Sequence, residues 1–121
     1  PFNPKTHQKL IEYVANAGLE VSGVKSVIDE IPGGQLRGYE VSTMDLGAVR
    51  HIGAQLTKDT PGADCIWVTG ALMPSVSTID ALERETGLPV IGSMQAMAWR
   101  GLRLAGVTDK IEGFGRLLRE I

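Results

Sequence analysis

The residues best placed to act on a small molecule sit in short turns that follow apolar runs. Val68-Thr69-Gly70-Ala71 closes the run Cys65-Ile66-Trp67-Val68, and Ile91-Gly92-Ser93 closes Leu88-Pro89-Val90-Ile91. Backbone N–H groups of Gly70 and Ala71, where a chain leaves a strand toward a helix start, can hold a carboxylate or an enediolate oxygen. The same turn also calls for glycine simply to give the backbone room, and the two readings stay open side by side. The single cysteine, Cys65, lies five residues before Gly70, roughly 16 Å away at strand rise, and reads as a small buried hydrophobe. His7 and His51 sit on separate helical segments without a cysteine or carboxylate at ligand spacing, so both read as helix-face histidines. Ser93 reads as a helix cap. Gly113-Phe114-Gly115 lacks the lysine and hydroxyl of a phosphate loop.

The elements that position these turns follow from periodicity. Asn3-Pro4 opens a first helix that runs to Ala17, with Leu10, Ile11 and Val14 on one face and Gly18 past its end. Leu19 to Val27 reads as a strand of imperfect period. Ile28 to Val41, rich in Pro32, Gly33, Gly34 and Gly38, reads as a long loop, and ordered loops of that length are often functional. Ser42 to Asp45 opens a second helix with Leu46, Val49, Ile52, Gly53 and Leu56 inward. The apolar runs at Cys65–Val68 and Leu88–Ile91 suit strands buried on both faces of a parallel sheet. A third helix starts near Pro74-Ser75, turns Val76, Ile79 and Leu82 inward and Glu83, Arg84 and Glu85 outward, and stops at Gly87. A fourth runs from Ser93 to Ala105, with Met97, Leu102 and Leu104 among its apolar positions. Phe114 to Ile121 forms a last short helix. Met73, Met94 and Met97 read as core filler, and Trp67 and Trp99 as core or interface residues.

Alternation of helix and strand predicts an α/β fold, a parallel sheet flanked by helices on both faces, in a single domain over 1–121. In such sheets ligands bind beyond the carboxyl ends of strands, which is where both turns lie. The 121 residues suit one domain, and 43% apolar against 21% charged residues supports a packed core. Twelve Lys and Arg against fourteen Asp and Glu leave a net charge of −2, with no basic stripe for nucleic acid. No apolar run has the length of a membrane helix. One cysteine excludes an internal disulfide and a four-cysteine zinc site, and it suits a reducing, cytoplasmic setting. The chain opens at Pro1 without Met or a signal-peptide pattern, so it is expected to be processed or to be part of something longer. An N-terminal proline serves as a base in tautomerases, but those chains begin with a strand, whereas Asn3-Pro4 begins a helix.

The stretches ADCIWVTGALMPS, IDALERETGLPVIGSMQAMAWRGLRLAG and GFGRLL resemble the second half of the cofactor-independent Asp/Glu racemase superfamily. The branch in question holds maleate cis-trans isomerases and arylmalonate decarboxylases, and Met73-Pro74-Ser75 resembles the isomerases in particular. The resemblance is better after residue 60 than before it. It implies two similar α/β halves facing each other across a cleft, each able to present a cysteine at the end of a central strand. It further implies small dicarboxylates or 2-substituted malonates as substrates, with no metal and no organic cofactor. By the same resemblance the family cysteine of this half falls on Gly70, which has neither proton nor nucleophile to give. The neighbours of that cysteine help hold a carboxylate, which supports a surviving anion site at Gly70 and Ala71. Tyr39 falls in a loop where related isomerases place polar substrate contacts, though a loop tyrosine also packs on a core. Phe2 stands where relatives often carry a substrate-binding tyrosine, and lacks its hydroxyl.

Two functions are therefore expected to compete. One is a cofactor-independent isomerase or decarboxylase with Gly70 in place of the second-half cysteine, partnered by an N-terminal half that carries any catalytic thiol. The other is a non-catalytic small-carboxylate-binding or assembly domain on the same fold. Neither nucleic acid nor membrane is an expected partner, and a homo-oligomer is left open. A response-regulator-like switch fails because no acidic residue ends the Cys65–Val68 strand.

Overall fold

The computed structural model describes residues 4–28 and 38–121. Its elements run α1 (Pro4–Asn16), α2 (Gly38–Ser42), α3 (Leu46–Asp59), β1 (Ile66–Val68), α4 (Val76–Thr86), β2 (Val90–Gly92), α5 (Ser93–Leu104) and α6 (Arg116–Glu120). The chain is α/β. β1 and β2 pair in parallel, Ile66 with Val90, Trp67 with Ile91 and Val68 with Gly92, and α4 makes the crossover between them. Among the described residues the sheet is these two strands. Both point their carboxyl ends the same way, which brings the Gly70 turn and the start of α5 to one edge.

The core forms where the amphipathic faces meet. Ile66, Ile79, Leu82 and Val90 make one buried cluster between strands and α4, and Ile79 and Leu82 are fully buried. Each such side chain contributes about 1.5–3 kcal/mol by leaving water. Val27, Val41, Val49, Ile52 and Met73 make a second cluster, and Val68 packs against both. Close approach of α3 to α4 needs Gly53, since a Cβ there would lie 2.7 Å from Leu82 Cδ2. Pro4 is the first residue of α1, as expected, whereas Asp45, expected in the first turn of its helix, stands just before α3 as its cap, its carboxylate accepting the Gly47 N–H at 2.9 Å. α4 ends at Gly87, in the left-handed conformation.

Several expectations are corrected. Leu19 to Val27 is not a strand. A cavity of about 790 Å³, lined on one side by Val21, Gly23 and Lys25 and on the other by Cys65 and Trp67, keeps it from the edge of β1. That cavity leaves Trp67 44% exposed, so β1 is not buried on both faces. Cys65 precedes β1, lines the same cavity and is exposed rather than buried. Leu46, Met94, Met97 and Leu104 are also exposed. The end of the long loop is helical, as α2. Ser93 is the first residue of α5 rather than its cap, the cap being Gly92. The Asn3 cap, Phe2, Pro1 and most of the loop fall outside the described residues.

Glu83 is the largest departure. Its neighbours Arg84 and Glu85 are solvated, yet Glu83 is only 4% exposed. One carboxylate oxygen accepts the Val90 N–H at 3.0 Å and the other the Arg116 N–H at 2.9 Å. The carboxylate thus ties α4 to the start of β2 and to α6, with both oxygens satisfied. Asp80 adds outer ties from α4, to Arg84 and, at 3.2 Å, to Arg119. These pairs are partly exposed and contribute little. Glu83→Gln turns one acceptor into a donor facing a backbone N–H and is expected to destabilise the fold by about 2 kcal/mol, read as a lower urea midpoint.

Candidate functional site

The candidate site lies at the carboxyl ends of β1 and β2. The chain leaves β1 through Thr69 and turns at Gly70, whose φ of 123° is a conformation open to glycine and strained for other residues. The carbonyl of Gly70 accepts the Met73 N–H at 3.1 Å, closing the turn. The Gly70 N–H is directed at Ser93 Oγ, 3.4 Å away, at the start of α5. The two turns singled out by the sequence are therefore joined to each other by a hydrogen bond. Ser93 accepts in that bond and keeps its own hydroxyl proton to donate. The Ala71 N–H has no partner among the described residues.

Beside this bond is a shallow concavity of about 390 Å³. It is lined by Ala71 to Pro74 of the turn, Val76 and Ser77 of α4, Met94 of α5, and Phe114. Leu72, Met94 and Phe114 are exposed large apolar side chains, so the hollow presents greasy surface to water. Phe114 is held in place from below. Buried Gln95 donates from Nε2 to the Phe114 carbonyl at 2.5 Å and accepts the Gly92 N–H through Oε1 at 3.1 Å.

Of the residues expected to bind, Ala71 lines this concavity and Gly70 immediately precedes it in the chain. Tyr39 lies in α2, but its side chain is outside the described residues. Cys65 is at the opposite, amino-terminal end of β1, in the larger cavity, and so does not replace a thiol at Gly70. His7 lines that larger cavity from α1, and His51 is exposed on α3 with Nε2 2.8 Å from Gln55 Nε2. Among the described residues no group of three His, Cys, Asp or Glu could hold a metal ion, and no helix is long and apolar enough to cross a membrane. Sequence reasoning missed Ser93 as a partner of Gly70, read Met94 as core filler, and gave Gln95 and Phe114 no part in this site. The strand-end position of Ser93, shared with Gly70, was the available signal. Nothing in the local pattern links Phe114 to residue 95.

The profile of the Arylmalonate decarboxylase family matches residues 2–118. The chain belongs to the arylmalonate decarboxylase family. A maleate isomerase of Nocardia farcinica (strain IFM 10152) is 27% identical over 123 residues, covering 99% of this chain and 45% of that protein. Arylmalonate decarboxylase superposes with a TM-score of 0.80 at 25% identity, covering 97% of this chain and 49% of its own. A doubly substituted variant of that enzyme in its liganded form superposes with a TM-score of 0.87 at 24% identity, covering 99% and 49%. A singly substituted variant in a sulfate-associated form gives 0.82 at 24%, covering 97% and 48%. The chain spans about half the length of these relatives.

Within this arylmalonate decarboxylase family member, the backbone at Gly70 makes a direct forecast. Gly70→Ala is expected to cost about 1–3 kcal/mol, since alanine must adopt a positive φ or break the bond to Ser93. Thermal unfolding followed by circular dichroism measures it, and an unchanged midpoint would show that the turn relaxes freely.

Proposed function

We propose that the chain is the binding half of a cofactor-independent decarboxylase or isomerase that acts on small dicarboxylates. The observation that carries this reading is the Gly70 N–H to Ser93 Oγ bond at the rim of an apolar concavity. It preorients a hydroxyl donor beside the Ala71 N–H. One substrate carboxylate accepts from both donors, and the apolar remainder of the substrate lies on Leu72, Met94 and Phe114. Donors fixed before binding cost little reorganisation when charge develops on a carboxylate or enediolate oxygen. The family relatives, one named for arylmalonate decarboxylation and one for maleate isomerisation, support this substrate class.

The chemistry requires a proton that this half does not supply at Gly70. In the decarboxylase reading, loss of carbon dioxide from a substituted malonate leaves an enediolate held by Ser93 and Ala71. A thiol from a second α/β half then protonates the α-carbon from one face. One-sided delivery gives a single product configuration and does not suit two-base racemisation. Glycine at residue 70 and Cys65 at the far end of β1 also favour a second reading, a domain that binds dicarboxylates without turning them over.

The binding claim is tested by calorimetric titration of the chain with phenylmalonate and with maleate. Ser93→Ala is expected to weaken binding at least about tenfold while lowering stability by less than about 1 kcal/mol. Equal affinity in both proteins would remove Ser93 from the site. Turnover of 2-methyl-2-phenylmalonate by a protein carrying both halves, with one enantiomer of 2-phenylpropionate formed in excess, separates the enzyme from the binder.

A further inference from the structure

Phe114 is the only aromatic side chain among the described residues that line the concavity, and none of those side chains carries a charge. It shares the lining with Ala71, whose N–H is one of the two proposed donors, and with Met94, the residue after Ser93. It is 40% exposed, so part of its ring is open to an incoming molecule. The backbone that carries the ring is held on both sides. Buried Gln95 donates from Nε2 to the Phe114 carbonyl at 2.5 Å, and its Oε1 accepts the Gly92 N–H at 3.1 Å, so one carboxamide ties Phe114 to the residue before Ser93. Two residues on, the Arg116 N–H donates to Glu83 Oε2 at 2.9 Å. Gly113 and Gly115, on either side of Phe114, both have a φ of 85°. A Cβ at Gly115 would lie 2.5 Å from Ile79 Cγ2 and 3.1 Å from Gln95 Nε2, so glycine is what lets the Phe114 carbonyl come down onto the carboxamide. These ties fix an exposed apolar side chain in place against the turn that leads into Ser93.

We infer that Phe114 is the specificity-determining residue of this site and selects malonates that carry a bulky apolar substituent over unsubstituted ones. The inference rests on the dicarboxylate reading above and adds to it the residue that chooses among dicarboxylates. Backbone and hydroxyl donors hold a carboxylate whatever else is attached to it, so Ala71 and Ser93 serve all such acids alike. Discrimination comes from the groups around the substituent. With no charge in the lining, nothing there compensates a polar substituent for the water it loses, whereas an apolar one gains by leaving water. Leu72 is 63% exposed and reaches mostly into solvent, and Met94 has a flexible side chain that yields to what it touches. Phe114 has two side-chain torsions on a backbone clamped from both sides. A ring fixed before the ligand arrives loses little freedom on contact, so its stacking against a phenyl substituent appears as affinity. The carboxamide that holds Gly92 also holds Phe114, so the ring keeps its place relative to the start of α5.

Calorimetric titration of the chain with phenylmalonate and with malonate is the test, since the two acids differ only in the phenyl group. The wild type is expected to bind phenylmalonate at least about tenfold more tightly than malonate. Phe114→Ala is expected to bring that ratio to within about threefold of one, the loss falling on phenylmalonate. Phe114→Leu keeps apolar bulk without the flat ring and is expected to lower the ratio at least about threefold. Circular dichroism checks that both variants are folded. Ser93→Ala is expected to weaken both acids and leave the ratio in place. A wild-type ratio near one, or a ratio left intact by either Phe114 variant, overturns the inference while the dicarboxylate reading stands. A wild type that binds neither acid overturns both. A Ser93→Ala protein that binds both acids as the wild type does, with the ratio still set by Phe114, overturns the role of Ser93 alone.

Discussion

A carboxylate and a carboxamide buried beneath the strand ends govern what the site can be. Glu83 holds the N–H groups of Val90 and Arg116, and Gln95 holds the N–H of Gly92 and the carbonyl of Phe114. Each bridges β2 and the segment that leads into α6. A two-stranded parallel sheet of three-residue strands has few ladder hydrogen bonds of its own. The side-chain bridges substitute for the neighbours that a wider sheet would provide. Because both are buried and satisfied, removing either leaves polar backbone without a partner, which costs more than the bond itself contributes. The wall of the concavity, the cap of α5 and the position of Ser93 all follow from these two residues.

Much of this was legible in the sequence because it depends on local rules. The strand–turn–helix units around Gly70 and Ser93, the start of α1 at Pro4 and the stop at Gly87 are each set by a few neighbouring residues. The inward face of α4 was legible through Val76, Ile79 and Leu82. That periodicity also places Glu83, four residues after Ile79, on the buried side. The adjacent Arg84 and Glu85 made it look like part of a solvated charge run, and its partners lie seven and thirty-three residues away. A buried charge is recognisable only when its donors are known, and these are backbone groups that carry no sequence signature. Cys65 and Trp67 misled for a different reason. A short apolar run predicts a strand covered on both faces, but coverage depends on whether Leu19 to Val27 comes within pairing distance, and here a cavity intervenes.

Gly70 concentrates the question of function. Its φ of 123° accounts for glycine without any appeal to chemistry. A cysteine there would have to bend the turn or endure strain, and either would disturb the bond to Ser93. The turn that aims a backbone donor at Ser93 is one that a thiol-bearing residue does not readily occupy.

α5 carries several parts of the structure at once. Its first residue, Ser93, supplies the hydroxyl at the site, its third, Gln95, holds Phe114, and its outer side exposes Met94, Met97 and Leu104. A helix of twelve residues moves as a rigid body over its length of about 18 Å. Its N-terminal turn is anchored by Gln95. Its C-terminal turn is anchored by Arg103, which donates to the carbonyls of Val107 and Ile121 and sits 6.0 Å from the Trp99 ring. Anchored at both ends on one side, the helix holds its first residue, Ser93, beside Gly70.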